Sequence, residues 1–116
     1  MAGWQLVKQL TCPRCGDIVA RAVYRRFLPA LRVELPGGTL VQPSSGAVLL
    51  RVMEQRVADA PPVDRRDAEN GLDFVRRHLG EVMYDLTCHR GHRTVQTMPA
   101  IVRAMCRTPG DWVPIR

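Results

Sequence analysis

Alternating apolar and polar residues predict β-strands in several parts of this chain. The predicted strands comprise residues 5–10, 17–24, 31–35, 39–42, 81–87 and 93–97. The alternation is clearest in residues 81–87, which have the sequence EVMYDLT. The sequence Pro-Gly-Gly at residues 36–38 separates two of the strands and is typical of a β-hairpin turn. Together these segments predict a small antiparallel sheet.

Apolar residues at helical spacing predict two short helices in the second half of the chain. The apolar face of the first helix comprises Ala68, Leu72, Val75 and Leu79. Either Asp64 or Asp67 is expected to cap its N-terminus, and Gly80 is expected to end it. The second helix covers residues 98–106. Residues 47–57 form an apolar run that fits a strand or a helix, so the predicted fold class is α+β.

Length and composition restrict the classes of protein to which this chain can belong. Its 116 residues are enough for one domain with a core, spanning residues 1–116. A hydrophobic fraction of 46% with 24% charged residues excludes disorder of the whole chain. The sequence has no apolar run long enough to cross a membrane, and its first residues do not resemble a signal peptide. We therefore expect a cytoplasmic protein.

Three of the four cysteines lie in two similar motifs. Residues 10–16 read LTCPRCG and contain Cys12 and Cys15, while residues 86–92 read LTCHRGH and contain Cys88 and His92. Both begin Leu-Thr-Cys and carry an arginine two residues later. The first presents two thiolates on one turn, and the second presents a thiolate and an imidazole. We therefore predict one structural Zn²⁺ bound by Cys12, Cys15, Cys88 and His92.

Three residues compete for the position of the fourth ligand. His92 is preferred because it completes the second motif, but Cys106 and His89 remain alternatives. His89 is adjacent to Cys88, and adjacent residues rarely both reach one tetrahedral ion. Cys106 extends the apolar face of the predicted helix at residues 98–106, which favours a buried position without metal.

Other uses of these cysteines fit the sequence less well. A disulfide is disfavoured in a chain that has no export signal. A thioredoxin-like redox pair would precede a helix, whereas the residues after Cys15 are predicted to form a strand. A haem attachment motif needs histidine where Gly16 stands, and the motifs of zinc deaminases and metalloproteases are both missing. No set of nucleophile and base residues can be assembled, so we do not expect an enzyme.

The two cysteine motifs together resemble those of the zinc-ribbon class, which is shared by many transcription, translation and nucleic-acid-processing proteins. The resemblance implies two zinc knuckles, at residues 10–17 and 86–93, each at the mouth of a β-hairpin. A long insertion of about residues 28–80 would separate them, and a tail would follow at residues 108–116. The resemblance also implies a binding module for nucleic acid or for a nucleic-acid machine, as an accessory factor of transcription or translation.

The charge of the chain is compatible with such a partner. Its 17 basic residues exceed its 11 acidic residues by six, and arginine can bind phosphate with two hydrogen bonds. The arginines near the motifs are the predicted contacts: Arg14, Arg21, Arg25, Arg26, Arg90 and Arg93. Arg14 and Arg90 are equivalent in the repeat and are expected side by side at the tip of the ribbon.

The alternative function is a zinc-stapled structural or protein-interaction subunit of a larger assembly, such as a virion component. The tail favours it, because Trp112 lies there between two prolines. Such a tail either folds back onto the core or docks Trp112 on a protein partner.

Overall fold

The computed structural model describes residues 5–25 and 30–115, which form eight strands and three helices. The strands are β1 (Gln5–Thr11), β2 (Ile18–Arg25), β3 (Ala30–Glu34), β4 (Leu40–Val41), β5 (Ser44–Ser45), β6 (Val82–Thr87), β7 (Arg93–Thr97) and β8 (Trp112–Pro114). The helices are α1 (Gly46–Asp59), α2 (Arg65–Arg77) and α3 (Met98–Arg107). None of these three is long and apolar enough to span a membrane.

The strands form two sheets, which confirms the α+β class but not the prediction of one small sheet. The larger sheet has the order β4-β3-β2-β1-β8, and the smaller sheet has the order β5-β6-β7. All neighbouring strands are antiparallel except β1 and β8, which are parallel. The strands predicted around the two cysteine motifs are present as β1, β2, β6 and β7.

The main core lies between the inner face of the larger sheet, β6 and α3. Strand alternation points Leu10 of β1 and Val33 of β3 into this core, and both are fully buried. The turn-to-turn spacing of α3 places Ile101 and Met105 against them. Two cysteines of the predicted zinc site, Cys12 and Cys88, belong to the same core. The site is therefore built into the main packing unit of the protein.

Residues 47–57, which fit either a strand or a helix by sequence, belong to helix α1. The side chain of Ser45 caps this helix by accepting a hydrogen bond from Val48 N at 3.3 Å. Helices α1 and α2 pack against each other and against the smaller sheet, forming a second core. That core comprises Leu49, Met53, Leu72, Val75 and Met83.

Helix α2 begins close to its predicted start but ends earlier than predicted. Asp64 occupies the N-cap position without a side-chain cap bond, and Asp67 in the first turn pairs with Arg14 instead. His78 follows the last helical residue, so the turn at 78–80 and not Gly80 alone ends the helix. Leu79 lies in this turn and is exposed, so the prediction that it extends the apolar face is wrong.

The C-terminal tail folds back onto the larger sheet as strand β8. Val113 and Ile115 are buried there, whereas Trp112 is 57% exposed. Lys8, the only lysine of the chain, is buried beside the tail. Its ammonium group donates hydrogen bonds to the carbonyl oxygens of Thr108 at 2.9 Å and Gly110 at 2.6 Å. The charge of Lys8 therefore serves to fasten the tail.

Two glycines of the helical pair should respond in opposite ways to alanine substitution. A Cβ at Gly46 would lie 2.5 Å from the carbonyl oxygen of Leu79, which is backbone and cannot easily move. A Cβ at Gly71 would meet only the Met53 sulfur, at an ordinary 3.6 Å. We expect Gly46→Ala to lower the free energy of unfolding by about 1–3 kcal/mol through overpacking. We expect Gly71→Ala to raise it by about 1 kcal/mol through helix propensity.

Urea unfolding of the two variants beside the wild type measures both effects under one set of conditions. Because the substitutions are chemically identical, each serves as the control for the other. Equal effects on the two stabilities, or a stabilising Gly46→Ala, would contradict this description of the packing between α1 and the segment that follows α2.

Candidate metal centre

Two hairpin turns from different sheets meet at one end of the main core. The first turn joins β1 to β2 and carries Cys12 and Cys15, and the second joins β6 to β7 and carries Cys88 and His92. The ligand atoms of these four residues all lie within 4.8 Å of one another. Among the described residues, this is the one group of histidine, cysteine and acidic side chains close enough to hold a metal ion.

The distances between the ligand atoms fit tetrahedral coordination. With zinc–sulfur bonds of about 2.3 Å and zinc–nitrogen bonds of about 2.0–2.1 Å, a tetrahedron separates two sulfurs by about 3.8 Å and a sulfur from a nitrogen by about 3.6 Å. Cys15 Sγ lies 3.9 Å from Cys88 Sγ, and Cys12 Sγ lies 3.6 Å from His92 Nδ1. The spacing of these donors therefore matches a metal of this size.

Backbone hydrogen bonds shape both turns in the same way. In the first turn, Gly16 N donates to Cys12 O and Cys12 N donates to Asp17 O, both at 2.8 Å. In the second turn, Gly91 N donates to Cys88 O and Cys88 N donates to the carbonyl of His92, both at 2.9 Å. Gly16 and Gly91 have φ values of 76° and 87°, a region that costs glycine little. Glycine therefore suits both of these turn positions.

The surroundings of the first two thiols give them different proton affinities. Burial raises the pKa of Cys12, but hydrogen bonds from the backbone N–H groups of Arg14 and Cys15, and the contact with His92, outweigh it and lower the pKa to about 7. The backbone N–H of Asp17 lowers the pKa of Cys15, but burial and the nearby Asp17, Cys12 and Cys88 side chains raise it to about 11. A bound metal displaces these protons, so metal affinity should fall as the pH falls.

The two alternative ligands lie outside the cluster. The exposed His89 has its Nδ1 3.4 Å from Asp17 Oδ2, on the outside of the site. Cys106 is exposed on α3, so the prediction that it is buried is wrong. The buried side of α3 is defined by Ile101 and Met105, and Val102 lies only at its margin. Cys106 is one turn beyond Val102 and next in sequence to Met105, which rotates it out to the solvent.

The arginines at the two turns make ion pairs within the protein. Arg14 pairs with Asp67 in the first turn of α2, and this hydrogen bond raises the pKa of the guanidinium group. Arg90 Nε lies 3.2 Å from Asp17 Oδ2, without the alignment of a hydrogen bond. The side chains of Arg14 and Arg90 are nevertheless 51% and 63% exposed. Both groups remain accessible from solvent.

The other predicted contact residues lie on separate parts of the structure. Arg21 and Arg25 are exposed on β2 of the larger sheet, and Arg93 is exposed at the start of β7. Arg26 lies outside the described residues. The described arginines of the predicted set therefore form two groups. Arg14, Arg90 and Arg93 lie at or beside the two turns, and Arg21 and Arg25 lie on the larger sheet.

Two acidic residues contact side chains of the two turns, and nothing in the sequence indicated that they lie there. Asp17 connects the turns, because its backbone closes the first one and its carboxylate faces His89 and Arg90 of the second. Asp67 connects the first turn to α2 across 53 residues of sequence. Both partnerships depend on tertiary structure and could not be read from local spacing.

A comparison of the chain with protein-family models, with curated proteins and with solved structures finds no match.

Proposed function

We propose that Cys12, Cys15, Cys88 and His92 bind one structural Zn²⁺ in a zinc-ribbon arrangement. The observation that carries this proposal is the convergence of these four side chains, from two hairpin turns, at distances suited to tetrahedral coordination. Three thiolates and one imidazole suit zinc better than magnesium or calcium, which prefer oxygen ligands. Four protein ligands leave no open position for a substrate, which favours a structural role over a catalytic one.

The proposed zinc-bound unit acts on nucleic acid or on a nucleic-acid machine. The chain has a formal charge of +6, which three thiolates and one Zn²⁺ would change to 6 − 3 + 2 = +5, and this excess supports a polyanionic partner. At the metal centre, two arginines are largely exposed even though each also has an internal carboxylate partner. A guanidinium group of this kind can exchange its internal carboxylate for a phosphate group, since both present oxygen acceptors that match its paired N–H donors.

The second candidate is a protein-interaction subunit of a larger assembly. It is favoured by Trp112, which stays more than half exposed although Val113 and Ile115 beyond it are buried. Exposed tryptophans are common at the centres of protein interfaces. This candidate predicts protein binding through the tail without any dependence on nucleic acid.

Replacing Arg14 and Arg90 together with alanine is expected to weaken binding to nucleic acid. Each phosphate that the variant no longer neutralises should also reduce the slope of log affinity against log salt concentration by about 0.7–0.9. Fluorescence anisotropy of labelled single-stranded and duplex DNA and RNA, at two salt concentrations, measures both quantities. The matched control is Arg103→Ala with Arg107→Ala, which removes the same charge from the exposed side of α3.

If the turn arginines serve only to hold the protein together, the double variant will bind with the affinity and the salt slope of the control. It will then lose only the small stability that two exposed ion pairs provide, about 0–1 kcal/mol each. Absence of any nucleic-acid binding by the wild-type protein would contradict the proposed function itself and favour the protein-interaction subunit.

A further inference from the structure

The larger sheet has one face in the main core and an opposite face that stands open to solvent. Side chains alternate between the two faces along each strand, and Leu10, Val33 and Val113 mark the buried face. On the opposite face, the outward-pointing residues of four neighbouring strands are exposed or half-buried, except for Thr11 at the end of β1. We call this the open face, and its main residues are Val7, Arg21, Val23, Arg25, Arg32 and Trp112.

The strand register places these side chains in adjoining rows. Gln9 of β1 lies directly opposite Arg21 on one side and Trp112 on the other. Because neighbouring strands are about 4.8 Å apart, Arg21 and Trp112 are separated by about 10 Å across the sheet. In the next row, Val7 lies opposite Val23, which in turn lies opposite Arg32. Val7 and Val23 thus form an apolar centre. The arginines of β2 and β3 lie on one side of it, and the indole ring of Trp112 lies at one corner.

The charge of the open face is positive and partly unpaired. It carries three arginines, whereas Glu34 is the one acidic residue at the paired positions of the larger sheet, which gives 3 − 1 = +2. Glu34 faces Arg21 in the register but contacts Arg32, with 2.9 Å between Arg32 Nε and Glu34 Oε1. Within residues 5–25 and 30–115, Arg21 and Arg25 have no ion-pair partner.

The lack of an ion-pair partner distinguishes Arg21 and Arg25 from the arginines at the metal centre. Arg14 and Arg90 each lie beside a carboxylate of the protein, which partly neutralises their positive charge in the folded state. Arg21 and Arg25 are four residues apart on one strand, which separates their Cα atoms by about 13 Å along the sheet. A ligand that satisfies both must therefore be extended and carry repeated negative charge.

The geometry of the open face points to a single strand of nucleic acid and not to a duplex. Its named residues all lie on strands β1, β2, β3 and β8 of one sheet, and none of them lies on a helix of the kind that commonly reads base pairs in the major groove. An unpaired base, in contrast, can stack on an exposed indole ring while its backbone follows neighbouring cations. Val7 and Val23 form an apolar strip between the arginines and Trp112, and this strip accommodates the sugar and base surfaces.

We infer that the open face of the larger sheet binds single-stranded nucleic acid, with Arg21 and Arg25 contacting phosphates and Trp112 stacking on a base. This inference rests on the proposed function and specifies its surface and its ligand. The buried side chains of Val113 and Ile115 fasten the strand that carries Trp112, so its backbone is in place before the ligand arrives. The exposed tryptophan and the exposed arginines thereby receive one explanation.

Anisotropy titrations with a labelled oligothymidylate of about 12 nucleotides, and with an oligouridylate of the same length, test this inference. Arg21→Gln with Arg25→Gln is expected to weaken binding and to lower the salt slope by about 0.7 for each phosphate that the variant no longer neutralises. The matched control is Arg103→Gln with Arg107→Gln. It removes the same charge from two arginines that are also four residues apart in sequence, on α3. We expect this control to keep most of the wild-type affinity and slope.

Trp112→Ala is expected to weaken binding roughly 5- to 150-fold with little change in the salt slope, as stacking contributes affinity without counterion release. Trp112→Phe should recover part of the affinity, because phenylalanine also stacks. Equal melting temperatures of the variants and the wild type show that the tail has kept its place. If Trp112→Ala displaces the tail, a competition assay with duplex of the same length, which should compete poorly, provides the independent measurement.

Three outcomes overturn the inference in distinguishable ways. If the wild type binds nucleic acid and both sheet variants bind equally well, the open face is not the site, and the proposed function stands with another surface. If the wild type binds neither single strands nor duplex, the proposed function fails together with the inference. Stronger binding to duplex than to single strands would also contradict the assigned ligand.

Discussion

Removing the metal with a chelator is expected to unfold the two hairpins that carry its ligands, together with the main core. Structural zinc contributes apparent free energies of about 10–16 kcal/mol in small domains, whereas a whole domain is usually stable by only about 5–15 kcal/mol. Cys12 and Cys88 are themselves core residues, so loss of the ion also leaves buried thiolates or thiols close together. The stability of the metal-free chain should therefore be close to zero.

The entropy of the chain explains why this loss cannot easily be offset. Holding Cys15 next to Cys88 closes a loop of more than seventy residues, which costs roughly 4–5 kcal/mol. A metal that joins the two turns compensates for this cost directly. The second core between α1 and α2 contains none of the four ligands, so residual helical structure there is compatible with this account.

Circular dichroism and thermal unfolding before and after chelation measure this effect, and adding back zinc should restore the wild-type transition. Cys88→Ser should behave like the chelated protein even in the presence of zinc. Cys106→Ser is a matched control, because it removes a thiol that the structure places outside the cluster. A chelated protein that unfolds at the same temperature as the wild type would contradict the prediction.

The second large effect concerns the identity of the fourth ligand. We expect His92→Ala to weaken zinc binding by more than about 100-fold, which exceeds the usual effect of changing a residue that only supports a ligand. His92 Nδ1 lies 3.6 Å from Cys12 Sγ, which is the separation of two donors on one tetrahedral zinc, so its loss opens one corner of the tetrahedron. Cys106→Ser and His89→Ala should change the affinity by only a few-fold.

Competition with a chromophoric chelator gives the affinity of each variant under identical conditions. Substitution by cobalt offers a second reading, because the visible absorption bands of cobalt depend on the number, type and geometry of all its ligands, the imidazole included. Wild type, Cys106→Ser and His89→Ala should give one common spectrum, and His92→Ala a different one. Release of zinc by Cys106→Ser, with retention by His92→Ala, would show that the ligand set is wrong.

The features that could be predicted from the sequence are those encoded locally. The turn at Cys12 and Cys15 follows from two thiols and a glycine within five residues, and the flanking strands follow from their alternation. The repeated motif then identifies the second turn, although more than seventy residues separate the two. Such a repeat predicts a contact between distant segments, since each copy supplies two ligands and one metal ion must bind all four.

The features that sequence reasoning missed depend on contacts between distant segments. The conformation of residues 47–57 was open because an apolar run has no decisive period, and packing against α2 selects the helix. Strand β8 has only three residues, and it is held by its pairing with β1, by the buried Val113, and by the hydrogen bonds that Lys8 donates to carbonyl oxygens 100 and 102 residues away. The predicted burial of Cys106 is wrong because this residue lies at the edge of the apolar face of α3. A position at that edge can point toward the core or toward solvent, and spacing in the sequence does not distinguish the two.

The arginines illustrate a further limit of sequence reasoning. Counting charges treats Arg14 and Arg21 alike, but the structure gives Arg14 an internal carboxylate and leaves Arg21 without one among the described residues. The strongest candidates for binding an external anion are therefore on the sheet. Their common face, and the position of Trp112 beside them, follow from strand register and could not be read from spacing in the sequence.

The most direct test of the central claim is the metal content of the native protein. Protein isolated without added zinc can be weighed by mass spectrometry under native conditions and again after denaturation, with elemental analysis of the same sample. The account predicts one zinc ion per folded chain, absent from Cys88→Ser and retained by Cys106→Ser. A native, fully folded protein that contains no metal would contradict it.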